Sequence, residues 1–112
     1  MKSVLVIVDW LHPANGGRNG LPQGETYIAP VRFLAQSESD WQDNAWSLKF
    51  TWLDKESSSG SWFGIAEFLS PEGPAEWLEP DNHFEIYEGP EPVGKVKVLA
   101  SAKVMAGIKA LA

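Results

Sequence analysis

The stretch FEIYEGPEPVGKVKVL, Phe84–Leu99, decides the fold class of this 112-residue chain. Apolar and polar residues alternate on both sides of a turn rich in glycine and proline, and a two-residue period is typical of paired antiparallel strands with one buried face. Lys95 and Lys97 fall on the outer face in this pattern. The stretch therefore predicts a structural hairpin whose inner face consists of Phe84, Ile86, Val96 and Val98.

Similar strand patterns recur upstream of the hairpin, separated by turn-forming residues. The segment AWSLKFTWL, residues 45–53, places Trp46, Leu48, Phe50 and Trp52 on one face. Pro30 lies inside another apolar segment, residues 26–35, and because it lacks an N–H that strand must be at an edge or bulged there. A glycine-rich stretch, residues 11–25, predicts a long loop. The complete set of predicted strands is 4–10, 26–35, 45–53, 62–69, 83–88 and 93–99.

About six strands with turns between them predict an all-β fold, an antiparallel β-barrel that is closed or nearly closed, since closure removes the exposed strand edges. The length predicts one domain over residues 1–112. Residues 2–100 would form the barrel. The alanine-rich tail, residues 101–112, has no clear alternation, and it would extend the last strand, form a short helix or fray.

The charge balance argues against a nucleic-acid-binding surface. Fifteen acidic residues against nine Lys and Arg give a net charge of −6. The N-terminal apolar run, Val4–Val8, is too short to cross a membrane and is interpreted as a buried strand. The chain has no cysteine, which suits a reducing compartment. We therefore expect a cytoplasmic protein.

The order of several short motifs resembles the third domain of elongation factor Tu, a C-terminal β-barrel. In the hairpin the matching positions are Phe84, Ile86, Glu88, Gly89, Val93 and Gly94, and upstream they are Gly16–Arg18, Pro22, Tyr27, Pro30 and Phe33. The resemblance implies a freestanding, bacterial-type copy of this barrel without the GTPase domain. The family's basic hairpin positions are replaced by Tyr87 and by Pro90–Pro92, so contact with transfer RNA is not expected.

No catalytic or cofactor-binding motif accompanies these strands. His12 and His83 stand in separate segments without the spacing of metal ligands, and no phosphate-binding GxxxxGK[ST] sequence is present. The many glutamates have the positions of a solvated surface. We expect no enzyme activity, no metal and no cofactor.

Tryptophan and arginine supply the candidate binding residues. Trp46 and Trp52 are predicted in the core, and Trp10 at a barrel mouth. Trp41 and Trp77 lie in polar loops, where an indole either stacks on a ligand or folds back as a plug. The plug is preferred for Trp77, since Leu78 follows it, and the alternatives stay open for Trp41. Arg18 follows two glycines and forms either a buried ion pair, which is preferred, or a contact with a partner.

These features predict a non-catalytic protein-interaction module. The outer side of the hairpin would be an acidic strip with one aromatic ring, made of Glu85, Tyr87, Glu88 and Glu91. Such a strip attracts a basic protein partner. The alternative is a small-ligand or carbohydrate binder that uses Trp41 and Trp77, and a weaker one is an RNA-associated module. The oligomeric state is left open.

The missing phosphate loop and missing ligand clusters yield a first testable prediction. Calorimetric titration with GTP or ATP should show no binding at micromolar concentrations, and the melting temperature should be the same with and without a chelator. Micromolar nucleotide affinity, or a melting temperature that drops with chelator, would contradict this reading of the motifs.

Overall fold

In the computed structural model, which describes residues 2–11, 24–33, 45–55 and 61–101, six strands form a closed antiparallel β-barrel. The order around the barrel is β1-β4-β3-β2-β5-β6, so the first and last strands are neighbours. This confirms the predicted fold class. The strands are β1 (Ser3–Trp10), β2 (Thr26–Phe33), β3 (Trp46–Asp54), β4 (Ser61–Phe68), β5 (His83–Glu88) and β6 (Glu91–Ser101).

The core fills the barrel interior with the inward-facing residues of each strand. Val4, Val6 and Val8 of β1 are fully buried, and the same two-residue period buries Leu48, Phe50 and Trp52 of β3. Beside the strands, the described residues contain one 3₁₀ turn, Ala75–Trp77, in the connection from β4 to β5. None of the described helical residues forms a helix long and apolar enough to cross a membrane. The predicted loop 11–25 falls outside the described residues except at its ends, as does the tail beyond Ser101.

The predicted hairpin forms and its inner face is confirmed. Phe84 pairs with Val96, and Glu85 pairs with Lys95 on the outside. The four predicted inner residues are all buried, with exposures of at most 1%: Phe84, Ile86, Val96 and Val98.

The outer position predicted for Tyr87 is wrong. Ile86 is opposite Gly94, but Tyr87 is opposite Pro92, so Val93 is an extra residue that shifts the register. Such a bulge turns the strand past it, and Pro92 has no N–H to continue the ladder. As a result Tyr87 is only 8% exposed and Val93 is 2% exposed.

The strand that contains Pro30 is neither an edge strand nor bulged there, because β2 lies between β3 and β5 in the closed barrel, but at Pro30 itself only β3 pairs with it among the described residues. The β2–β3 ladder continues without a shift through Pro30, which is opposite Ser47. The β2–β5 ladder covers only Val31, Arg32 and Phe33. The missing N–H of Pro30 therefore interrupts no described pairing on the β5 side.

Aromatic rings fill one end of the barrel, where β1, β3, β5 end and β2, β4, β6 begin. Trp10 makes edge contacts with the rings of Tyr27, Trp52 and Trp62 at 5.4–5.8 Å between centroids. The ring of Trp10 lies over Gly94, where an added Cβ would be 3.2 Å from its Cε3 atom. The predicted place of Trp10 at a barrel mouth is confirmed. We call this the tryptophan end.

A second prediction concerns the hairpin core. Phe84→Ala should lower the free energy of unfolding by roughly 3–5 kcal/mol, because the truncation leaves a cavity in a fully buried site. Denaturant melts measure this, and Phe63→Ala, at a partly exposed position of β4, is the control with a smaller loss. A loss below about 1 kcal/mol for Phe84→Ala would mean that Phe84 is not a core residue.

Candidate interaction surfaces

The outer face of the hairpin carries charges of alternating sign rather than an acidic strip. Lys95 of β6 is opposite Asp9 of β1 on one side and Glu85 of β5 on the other. Glu85 is in turn opposite Arg32 of β2. Opposite charges in neighbouring strands stabilise a sheet modestly, by about 0.2–1 kcal/mol for each pair. The negative charge of Glu85 is thus offset by Lys95 on one side and by Arg32 on the other.

The two glutamates near the hairpin turn have different surroundings. Glu88 is partly buried and accepts a hydrogen bond from the hydroxyl of Tyr27. This bond connects the tip of the hairpin to β2 beyond their short ladder. Glu91 is exposed at the start of β6. With Tyr87 buried, the predicted strip does not form one continuous surface.

Trp77 folds back onto the barrel, which confirms the preferred plug. Its ring centroid is 5.0 Å from that of Phe33, and the neighbouring Leu78 is fully buried. The side chain of Trp77 remains partly exposed, and its role in ligand binding stays a prediction. Arg18 and Trp41 lie outside the described residues, and their roles stay predictions.

Residues 70–82, in the connection from β4 to β5, form a largely exposed acidic segment anchored by this plug. Its four carboxylates are all exposed: Glu72, Glu76, Glu79 and Asp81. Lys2 approaches Glu79, with Nζ 2.6 Å from Oε1, and Lys97 lies 3.7 Å from Asp81. Glu72 and Glu76 form no ion pair with a described residue. We refer to residues 70–82 as the acidic segment.

Hydrogen bonds hold the backbone of the acidic segment in place. The amide of Asp81 donates to the carbonyl of Val98 at 2.8 Å, and the amide of Val98 donates to the carbonyl of Asn82 at 2.9 Å. The side chain of Asn82 donates to the carbonyl of Trp77 at 3.0 Å. The end of the segment at Asp81 and Asn82 is therefore fixed to β6. The part with Glu72 and Glu76 has local turn bonds, from the amide of Gly73 to the carbonyl of Ser70 and from the amide of Trp77 to the carbonyl of Pro74.

Charge in the described residues is distributed by position on the barrel. The side of the barrel carries both signs, in the row that runs from Asp9 to Arg32. The tryptophan end has four carboxylates and one lysine: Glu25, Asp54, Glu88, Glu91 and Lys55. The opposite end has the acidic segment and Lys2. Most of the excess negative charge thus lies at the two ends.

Two buried indole N–H groups at the tryptophan end lack a hydrogen-bond acceptor among the described residues. They belong to Trp10 and Trp52. Leaving a buried donor unpaired costs about 1–3 kcal/mol. Edge contacts among the rings offset part of this cost, and Trp52 stacks on Phe50 with centroids 5.6 Å apart. At this end the rings pack against one another, and the indole nitrogens of Trp10 and Trp52 are enclosed.

The described residues do not bring candidate catalytic side chains together. They contain no group of three or more His, Asp or Glu side chains placed to hold a metal ion. His83 is exposed at the start of β5, and His12 is outside the described residues.

Two comparisons with known proteins, by family model and by curated sequence, found no relative. No family model matches the chain, and no curated protein matches it significantly.

A third prediction tests the plug. Trp77→Ala should reduce the free energy of unfolding by about 1.5–3 kcal/mol, since a large apolar side chain loses its burial. Trp77→Phe should cost less, because it keeps a ring against Phe33.

The neighbouring exposed position supplies the control. Glu76→Ala should change stability by less than about 0.5 kcal/mol, as surface substitutions usually do. Equal and small losses for Trp77→Ala and Glu76→Ala in denaturant melts would show that Trp77 is not a plug.

Proposed function

We propose that this chain is a non-catalytic protein-interaction module that binds a basic protein through the acidic segment. The observation that carries the proposal is the combination of exposed carboxylates with a fixed backbone in residues 70–82. The hairpin strip that the sequence suggested is replaced in this proposal by the acidic segment, because the bulge buries Tyr87.

The ordered backbone of the acidic segment favours binding by lowering the entropy lost on association. A flexible acidic loop would lose conformational freedom when it binds, and this loss subtracts from affinity. Here Leu78 and Trp77 anchor the segment, and backbone hydrogen bonds tie it to β6. Lysine and arginine side chains of a partner would meet carboxylates already in position.

Electrostatics supports a basic partner over a nucleic acid. A patch of negative charge speeds the encounter with a cationic protein, and salt weakens this effect. Phosphate backbones are repelled by the same patch. On the side of the barrel Lys95 and Arg32 alternate with Asp9 and Glu85, which interrupts a continuous cationic surface in this row.

The resemblance to the third domain of elongation factor Tu is a second part of this proposal. We propose that the chain is a freestanding, bacterial-type barrel of the elongation factor Tu third-domain type that acts in the cytoplasm. A closed six-stranded barrel agrees with this proposal, and the cysteine-free composition agrees with a reducing compartment.

A fourth prediction tests the acidic segment with a defined probe. A fluorescein-labelled peptide of alternating lysine and arginine should bind the chain in an anisotropy titration at about 50 mM salt, and binding should weaken as salt rises. The double variant Glu72→Gln, Glu76→Gln should weaken binding by about threefold or more, since each surface charge contributes up to about 1 kcal/mol.

The matched control removes two charges from the opposite end of the barrel. Glu25→Gln with Glu91→Gln makes the same change in net charge and should leave the affinity within about twofold. Equal losses in both double variants would show that overall charge, and not the acidic segment, attracts the peptide. In a gel shift at about 50 mM salt, tight binding of transfer RNA would overturn the protein-module proposal.

A further inference from the structure

The outer face of β1 and β4 is apolar, although outward residues of a barrel are ordinarily polar. Val4, Val6 and Val8 point inward and are fully buried, so the residues between them point outward. Four large outward residues meet across the β1–β4 ladder, where Leu5 is opposite Ile65 and Ile7 is opposite Phe63. All four are partly exposed. We call Leu5, Ile7, Phe63 and Ile65 the apolar patch.

Beside most of the apolar patch the outer faces of the neighbouring strands are polar, and the exceptions are Leu53 on β3, which is exposed, and Ala100 on β6, which is opposite Leu5. On β3 the outward residues opposite β4 include Lys49 and Thr51, and on β6 they include Lys95 and Lys97. An apolar area with a polar border is typical of a surface that contacts another protein. The patch is therefore a local feature of two strands rather than a property of the whole barrel.

The acidic residues that border the patch are already engaged within the chain. Asp9 accepts a hydrogen bond from the hydroxyl of Ser61, and Glu67 accepts one from the hydroxyl of Ser3 at 3.3 Å. Each bond joins β1 to β4 beside the patch. These carboxylates offer less to an incoming partner because an internal donor already binds them.

The bordering lysines on β6 are more available. Lys95 is exposed and forms no hydrogen bond or ion pair with a described residue. Lys97 is 3.7 Å from Asp81, whose side chain is 88% exposed, so this pair is weak. Lys95 therefore presents beside the patch an ammonium group that is unpaired among the described residues, although Asp9 and Glu85 are opposite it in the neighbouring strands.

A hollow connects the apolar patch to these lysines. It has a volume of about 410 Å³ and is lined by Ile7, Asp9, His83, Lys95, Val96 and Lys97. A second hollow of about 390 Å³ adjoins it and shares His83, Lys95 and Val96. Because Ile7 belongs both to the patch and to the first hollow, the apolar surface continues to the lysines without a break.

We propose that the apolar patch and this hollow form a docking site for a segment of a partner protein in which apolar side chains stand next to a carboxylate. The apolar side chains cover Phe63 and Ile65, and the carboxylate binds Lys95 in the hollow. Burial of apolar area supplies the affinity, and the lysine selects the charge of the segment. This site is independent of the acidic segment and has the opposite preference for charge.

Two matched peptides test the site on the full chain. One alternates leucine with glutamate, and the other alternates leucine with lysine, each with a fluorescein label. The glutamate peptide should bind in an anisotropy titration, and Ile65→Thr should weaken this binding. Because the lysine peptide also meets the acidic segment, its contact with this face is measured as the affinity that it loses in Ile65→Thr, and this loss should be smaller. The double variant Glu72→Gln, Glu76→Gln should leave affinity for the glutamate peptide undiminished, which separates this site from the acidic segment.

Matched substitutions locate the contact. Lys95→Gln should lower the affinity for the glutamate peptide by up to about fivefold, whereas Lys49→Gln, on β3, should leave that affinity unchanged. Ile65→Thr should also weaken it, whereas Ile28→Thr, at an exposed position of β2 outside the patch, should not. Thermal melts of all four variants confirm that each is folded before titration.

Three outcomes would overturn the proposal. The first is no binding of the glutamate peptide, and the second is a loss of lysine-peptide affinity in Ile65→Thr that equals or exceeds the loss of glutamate-peptide affinity. The third is self-association in sedimentation velocity that Ile65→Thr abolishes, because a second copy of the chain would then cover the patch.

Discussion

Pairing of β1 with β6 closes the barrel, and the remaining features depend on that closure. The pairing brings Val4 beside Ser101, so the two strands farthest apart in sequence become neighbours. Hydrogen bonding then continues around the barrel, which leaves no exposed edge for another chain to pair with. It also fixes which residues face inward, since a strand paired on both sides cannot slip by one residue without moving its apolar side chains to the outside. The outer surfaces of the molecule follow from this one constraint.

The sequence predicted the inner faces well where alternation is regular. Phe50 and Phe84 lie inside because the alternation is regular around them: Leu48, Phe50 and Trp52 are buried in β3, and Phe84 and Ile86 in β5. The pattern failed at Tyr87, where Val93 bulges and both Ile86 and Tyr87 become buried. The signal for that shift was Pro92, which cannot donate to a ladder. Pro92 turns Tyr87 inward only through the pairing of β6 with β5. The alternation within one strand does not contain this information.

The surfaces were harder to predict than the core because they combine residues from separate strands. The run Val4–Val8 indicated a buried strand, and in an antiparallel barrel the same run places Leu5 and Ile7 on the outside. The sequence therefore already indicated that Leu5 and Ile7 face outward. The partners Phe63 and Ile65, and the row of alternating charges, become visible only once the order of strands is known. The position of Trp77 was predictable because Leu78 beside it needs a core.

The acidic segment separates the residues that folding requires from those that contact solvent. Trp77 and Leu78 point toward the barrel, while Glu72 and Glu76 point away from it. Substitution at the outward positions leaves the anchor and the backbone bonds to β6 intact. The barrel is therefore a frame on which new specificities can arise by a few surface changes, without a new fold and without loss of stability. Divergent copies of such a chain would keep the anchor residues and differ at the carboxylates.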